Sequence, residues 1–140
     1  MQIRITVPNE LVRLRDLTAA VDAVLDTNAV AREVRDDVRL IAEEIVANAI
    51  EHGGCDAQTE IIVDITSRGE HLQIEFRDCG RAFDPLTVAP PELDADIDER
   101  GVGGLGLHLV RELAENLSYT REEPYNVLRV TVRGATQLPN

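Results

Sequence analysis

The chain has 140 residues, a formal net charge of −12, 44% hydrophobic and 29% charged residues, and two cysteines. That length suits one domain with one core, and no apolar run approaches the roughly 18–20 residues needed to span a bilayer. The acidic balance argues against nucleic acid as the main ligand, and because all 14 basic residues are arginine, a Walker-type P-loop with its lysine is excluded.

The N-terminus, MQIRITVPNE, lacks the apolar stretch of a signal peptide. The cytoplasm is the expected location, with Cys55 and Cys79 as free thiols that form no metal-ligand pattern. Residues 2–7 alternate Ile3, Ile5 and Val7 with polar neighbours, which predicts a half-buried strand. Pro8 ends it, and Asn9 is placed to cap the first helix. Over 10–26, Leu11, Leu14, Leu17, Val21, Val24 and Leu25 recur at spacings of three and four, predicting an amphipathic helix broken at Asp26-Thr27-Asn28. Residues 29–52 carry the longest helical stripe: Val30, Val34, Val38, Ile41, Ile45 and Ala49, with Gly53-Gly54 as the stop.

Two alternating segments come next, 60–66 and 71–78, joined by the hairpin turn SRGE. Residues 82–103 show little periodicity and hold three prolines and the acidic run ELDADIDE, from Glu92 to Glu99. A structureless connection of roughly 20 residues is unusual in a compact domain and is often a functional lid. The stretch RGVGGLGLHLVRELAEN, Arg100 to Asn116, then opens a helix whose apolar positions are Leu105, Leu109 and Leu113, continuing to Leu117, with Leu107, Val110 and Ala114 widening the face. Strands over 117–122 and 126–133 close the chain around a turn at Pro124. The order β-α-α-β-β-α-β-β predicts an α+β fold. It is a two-layer α/β sandwich with a mostly antiparallel mixed sheet and about three helices on one face, in a single domain over 1–140.

Three constellations carry chemistry. Glu44 and Asn48 are four apart, so both project from one helix face about 6 Å apart along the axis. A carboxylate there can accept a proton, and the carboxamide oxygen suits a hard cation such as Mg²⁺; the pair also reads as a solvated i, i+4 couple. Asp78, in DCGRAF, shares strand parity with Leu72, Ile74 and Phe76 and should face the core. A carboxylate so placed needs donors, and the exocyclic amine of adenine is one. Gly80 lets the chain turn under a flat ligand, although both residues also suit an ordinary strand-end turn. Gly101, Gly103, Gly104 and Gly106 open a helix whose free N–H groups and positive dipole end suit an anion; the alternative is a flexible loop entering a core helix. Together the three would place a cation and a base at one end of a cleft, a base-reading carboxylate at its floor, and phosphate-binding amides on its far wall.

These segments resemble the N, G1 and G2 boxes of the GHKL ATPase superfamily, the Bergerat ATP-binding fold. EEIVANAIEHGG is similar to its N box, DCGRAF to its D-x-G-x-x-F box and GVGGLGL to its glycine-rich lid box. Within it, the chain looks most like the small anti-sigma-factor serine/threonine kinases. The resemblance implies ATP and Mg²⁺ as cofactors, with Glu44 as the general base that deprotonates a substrate serine and Asn48 as the Mg²⁺ ligand. Asp78 becomes the adenine-binding aspartate with Gly80 beside it. Gly101, Gly103, Gly104 and Gly106 form the phosphate-binding lid together with Leu105 and Leu107 of the same box. Arg100 stands where some relatives place a γ-phosphate-contacting arginine. The implied partners are a STAS-domain anti-sigma antagonist, phosphorylated on serine or threonine, and a sequestered sigma factor, with a homodimer expected and no direct contact to nucleic acid or membrane.

The pattern departs in two places. Superfamily members often have an inward threonine on the last strand, whereas here Leu128, Val130 and Val132 share the inward parity and Thr131 points away. The acidic run Glu92–Glu99 would repel a triphosphate unless it folds outward or serves a partner. Two rival functions remain: a non-catalytic ATP-binding interaction module, and a detached histidine-kinase ATPase domain, for whose helical phosphoacceptor region this length leaves no room. His52 reads as a helix C-terminal residue, with a phosphate contact as the alternative, and His71 and His108 as structural or exposed.

Overall fold

The computed structural model describes residues 1–53, 59–87 and 102–134, and of 102–106 the backbone. The elements in order are β1 (Gln2–Pro8), α1 (Leu14–Thr27), α2 (Arg32–His52), β2 (Glu60–Arg68), β3 (His71–Asp78), α3 (Val102–Leu113), β4 (Asn116–Glu122) and β5 (Tyr125–Arg133), with short 3-10 turns at Leu11–Arg13 and Pro85–Thr87. The five strands lie in the order β1-β2-β3-β5-β4, and every neighbouring pair is antiparallel. The sheet is therefore wholly antiparallel rather than mixed: β2–β3 and β4–β5 are hairpins, and β1 adds antiparallel to β2.

Alternation along the strands gives the sheet two unlike faces. Val7, Ile61, Val63, Ile65, Leu72, Ile74, Phe76, Leu128, Val130 and Val132 form one buried face, packed with Leu17, Val21 and Leu25 of α1, Val38, Ile41, Ala42, Ile45 and Val46 of α2, and Val110 of α3. Each such side chain removed from water contributes about 1.5–3 kcal/mol before conformational entropy is counted. The other face carries charge: Arg4 meets Asp64 at 2.7 Å and Arg129 meets Glu75 at 2.9 Å, on directly opposed register positions.

The helices depart from their sequence patterns at three points. The first begins as a 3-10 turn, so Leu11 is 48% exposed instead of joining the stripe. No side chain caps α1, and the backbone N–H of Asn9 donates instead to Thr59 O at 3.0 Å. α2 starts at Arg32 rather than 29 because the α1 terminus continues into a Schellman motif. In it, Ala29 N–H donates to Asp26 O and Val30 N–H to Leu25 O, both at 3.0 Å, with buried Leu25 and Val30 in the usual apolar positions. Ala29 takes the left-handed residue of that motif, at φ 60°. Among the described side chains of α3, Leu107 and Val110 are buried while Leu109 is 37% exposed, and the helix ends before Leu117, which belongs to β4; the Leu105 side chain lies outside the described residues. Leucines crowd two faces of this helix, and packing against the sheet selects the 107/110 face.

Candidate functional site

Where the C-terminal end of α2 meets the end of β3, two glycines touch. A Cβ on Gly80 would lie 2.7 Å from Gly53 Cα and 2.8 Å from Asp78 Oδ1, so only glycine permits this approach. The junction is tied by Arg81 N–H to Gly53 O at 2.8 Å, by the Arg81 guanidinium to His52 O at 3.2 Å, and by Arg121 Nη1 to Gly80 O at 2.7 Å.

Above it opens a cavity of about 510 Å³, counted with its mouth. Its walls are Ile45, Asn48, Ala49 and His52 of α2, Leu107 of α3, and the segment carrying Arg81, Phe83 and Pro85. The floor is Phe76, Asp78, Asn126 and Leu128, with Tyr119 at one side. Arg111 of α3 holds the Pro85–Thr87 turn in place through Pro85 O at 3.1 Å and Leu86 O at 2.9 Å. A mostly apolar slot with a few convergent polar groups is the usual form of a small-molecule site.

Asp78 is the floor's charged group and faces inward with Phe76. Its Oδ1 accepts from Gly80 N at 2.9 Å and from Asn126 Nδ2 at 3.1 Å. Its Oδ2 takes part in none of the hydrogen bonds of the described residues, and Asp78 lines both this cavity and a smaller recess beside it. Such an oxygen can accept from a donor on a flat ligand held between Ile45, Phe76, Leu107 and Leu128.

Asn48 lines the cavity one turn along α2 from Glu44. Glu44 is half-buried and is not a lining residue. Its carboxyl titrates above the ordinary 4.5, first because burial disfavours its charge and then because Glu43 and Glu51 stand near. A glutamate tuned upward in this way is better matched to proton transfer near neutrality. Gly80 lies beneath the main cavity, lining a smaller recess with Asp78 and Cys79.

The glycine-rich segment is placed only in part. Arg100 and Gly101 fall outside the described residues, as do Cys55 and the acidic run Glu92–Glu99. Gly103, Gly104, Leu105 and Gly106 lie within α3, which already begins at Val102. The glycines are thus in the helix's opening turns rather than in a loop ahead of it. Packing further along α3, at Leu107 and Val110, outweighs the roughly 1 kcal/mol helical penalty of each glycine. By helix geometry the amides of Gly103 and Gly104 have no intrahelical acceptor.

Asn126, Tyr119 and Arg121 are cavity and junction residues that their sequence context does not single out. Asn126 is 7% exposed and shares inward parity with Leu128, Val130 and Val132. It occupies the inward end of the last strand, the strand on which superfamily members often carry an inward threonine. The signal is present in the parity of 126/128/130/132, but its meaning depends on a register that sets Asn126 opposite Asp78.

A family model described as the histidine kinase-like ATPase domain matches residues 7–132. The chain is 31% identical over 107 residues to the serine/threonine-protein kinase BtrW of Bordetella bronchiseptica, covering 74% of each chain. It is 28% identical over 102 residues to the serine-protein kinase RsbW of Listeria monocytogenes, covering 69% of this chain and 64% of that one. The chain thus spans somewhat less than two thirds of the Listeria protein. The crystal structure of the RsbU and RsbW domains of a Mycobacterium tuberculosis protein is similar at a TM-score of 0.70 and 17% identity, over 99% of this chain and 35% of that one. At that identity the likeness concerns the fold alone.

Proposed function

The chain belongs to the histidine kinase-like ATPase domain family, and on that premise we propose that it is a single-domain, Mg²⁺- and ATP-dependent serine/threonine protein kinase acting as an anti-sigma regulator. Its substrate is a small STAS-domain antagonist and its second partner a sigma factor held by protein contact; it works as a homodimer in the cytoplasm. The observation that carries the reading is Asp78 lining a mostly apolar slot, with one carboxylate oxygen held by Gly80 and Asn126 and the other without a partner among the described residues. The kinase names of the Bordetella and Listeria relatives support the transfer step.

In this reading Asp78 Oδ2 accepts from the adenine amine, and Ile45, Phe76, Leu107 and Leu128 enclose the ring. Asn48 offers its carboxamide oxygen to Mg²⁺. Mg²⁺ commonly keeps several waters and binds through few protein ligands and the substrate phosphates. Bound Mg²⁺-ATP supplies the phosphoryl group and neutralises its charge. The amides of Gly103 and Gly104 would bind the phosphates, the role that the glycine-rich lid box implies for Arg100 and Gly101 as well. Glu44 takes the hydroxyl proton of the acceptor serine or threonine as its oxygen attacks the terminal phosphorus and ADP departs.

Incubation with γ-labelled ATP and a candidate antagonist tests this directly. Label should appear on the antagonist, and Glu44→Ala should abolish transfer while retaining nucleotide. ATP binding without transfer by the wild type would sink the kinase reading. It would favour the second one, an ATP-binding interaction module, which the position of Glu44 outside the cavity lining supports.

A further inference from the structure

We propose that Asn126, with Tyr119 behind it, is a positioning residue that fixes which oxygen of Asp78 meets the ligand and so sets the cavity's preference for a 6-aminopurine; this rests on the ATP reading of the cavity. Asn126 stands directly opposite Asp78 in the β3–β5 register. A carboxamide has two acceptor sites on its oxygen and two N–H donors, and here all four are used. Oδ1 accepts from the Tyr119 hydroxyl at 2.5 Å and from Phe83 N at 3.3 Å. Nδ2 donates to Asp78 Oδ1 at 3.1 Å and to Arg81 O at 2.7 Å.

The neighbours dictate which way the amide points. The Phe83 amide can only donate and the Arg81 carbonyl can only accept, so reversing the carboxamide would break both bonds. Nothing remains on Asn126 for a ligand, so its influence passes through Asp78. With Asn126 Nδ2 and Gly80 N–H both on one oxygen, the carboxylate cannot rotate without losing two donors, and its other oxygen is left without a partner among the described residues, on a side chain that lines the slot. The same side chain also holds the backbone of Arg81 and Phe83, which forms the cavity rim. Tyr119, on β4, reaches it diagonally across the β4–β5 ladder, since its own register partner is Leu128.

The test compares Mg²⁺-ATP with Mg²⁺-purine riboside triphosphate, which lacks the exocyclic amine, by equilibrium binding to wild type, Asn126→Leu, Asn126→Thr and Tyr119→Phe, with thermal unfolding in parallel. Wild type should favour ATP by about tenfold or more, the range of a hydrogen bond to a charged group. In Asn126→Leu that ratio should fall to within about threefold of unity, because ATP loses more affinity than the riboside triphosphate, whatever the freed rim costs both. Asn126→Thr, which keeps one hydroxyl donor, should retain most of the ratio, and Tyr119→Phe should lie between. A merely structural residue would weaken both ligands alike and leave the ratio unchanged. An unchanged ratio in Asn126→Leu overturns the proposal; should that variant fail to fold, an unchanged ratio in Tyr119→Phe overturns it instead. Wild type that binds neither nucleotide, or both equally, overturns the ATP reading and this proposal with it.

Discussion

Asp78 Oδ1 and Asn126 Nδ2 meet at 3.1 Å across the final rung of the β3–β5 ladder. The pairing makes this half-buried inward carboxylate a fixed acceptor, because a carboxylate partly withdrawn from water needs donors. The floor of the cavity is therefore assembled by the fold itself, with strand register supplying the geometry.

Gly80→Ala should disturb that floor from below. Its new Cβ would meet Gly53 Cα, Gly53 O and Asp78 Oδ1 at 2.7–2.9 Å, and two of these are backbone atoms. We expect a loss of about 1–3 kcal/mol in denaturant unfolding, as for other overpacked sites, together with weaker ATP binding. Gly69→Ala is the control: the β2–β3 turn has φ +60° but nothing within 4 Å. It should cost about 1 kcal/mol through conformation alone and leave nucleotide affinity unchanged.

Ala29→Gly should stabilise the protein. Ala29 holds the left-handed residue that closes α1, at φ 60°. Relief of about 1–2 kcal/mol of strain is partly offset by the added freedom of glycine in the unfolded chain. A net gain of about 0.5–1 kcal/mol is expected in thermal or denaturant unfolding.

Glu44 gives a pH-dependent signature. Its carboxyl titrates above 4.5, with burial as the leading cause and Glu43 and Glu51 adding to it. A raised carboxyl pKa means that the folded state binds the proton more tightly. Stability therefore falls as pH rises from the unfolded value through the folded one. Glu44→Gln should accordingly melt higher than wild type at pH 7, and the difference should close once the pH drops below the ordinary value. If Glu44 is the base, the acid limb of transfer activity in the wild type should lie above 4.5.

Much of the fold is legible in the sequence because its signals are local. The alternation of Ile61, Val63 and Ile65, or of Leu72, Ile74 and Phe76, needs no knowledge of partners to identify the buried face. The α2 stripe from Val38 to Ile45 is equally self-evident. The features that escape depend on contacts distant in sequence. Asn126 reads as an ordinary strand residue until pairing sets it opposite Asp78. Arg121 acquires a role only because Gly80 O comes within 2.7 Å. Local ambiguity accounts for the other departures: Leu107 and Leu109 lie on different faces of α3, one buried and one exposed, and no residue around Ala29 announces a left-handed turn where glycine would be usual.

A calorimetric titration of the protein with Mg²⁺-ATP and Mg²⁺-GTP, repeated on Asp78→Asn, measures adenine recognition by Asp78 directly. An acceptor-only carboxylate should favour the 6-amino group of adenine over the 6-oxo group of guanine. The wild type should therefore bind ATP at least about tenfold more tightly than GTP, and Asp78→Asn should lose most of that affinity. Equal binding of the two nucleotides by the wild type, or full ATP affinity in Asp78→Asn, would contradict the account.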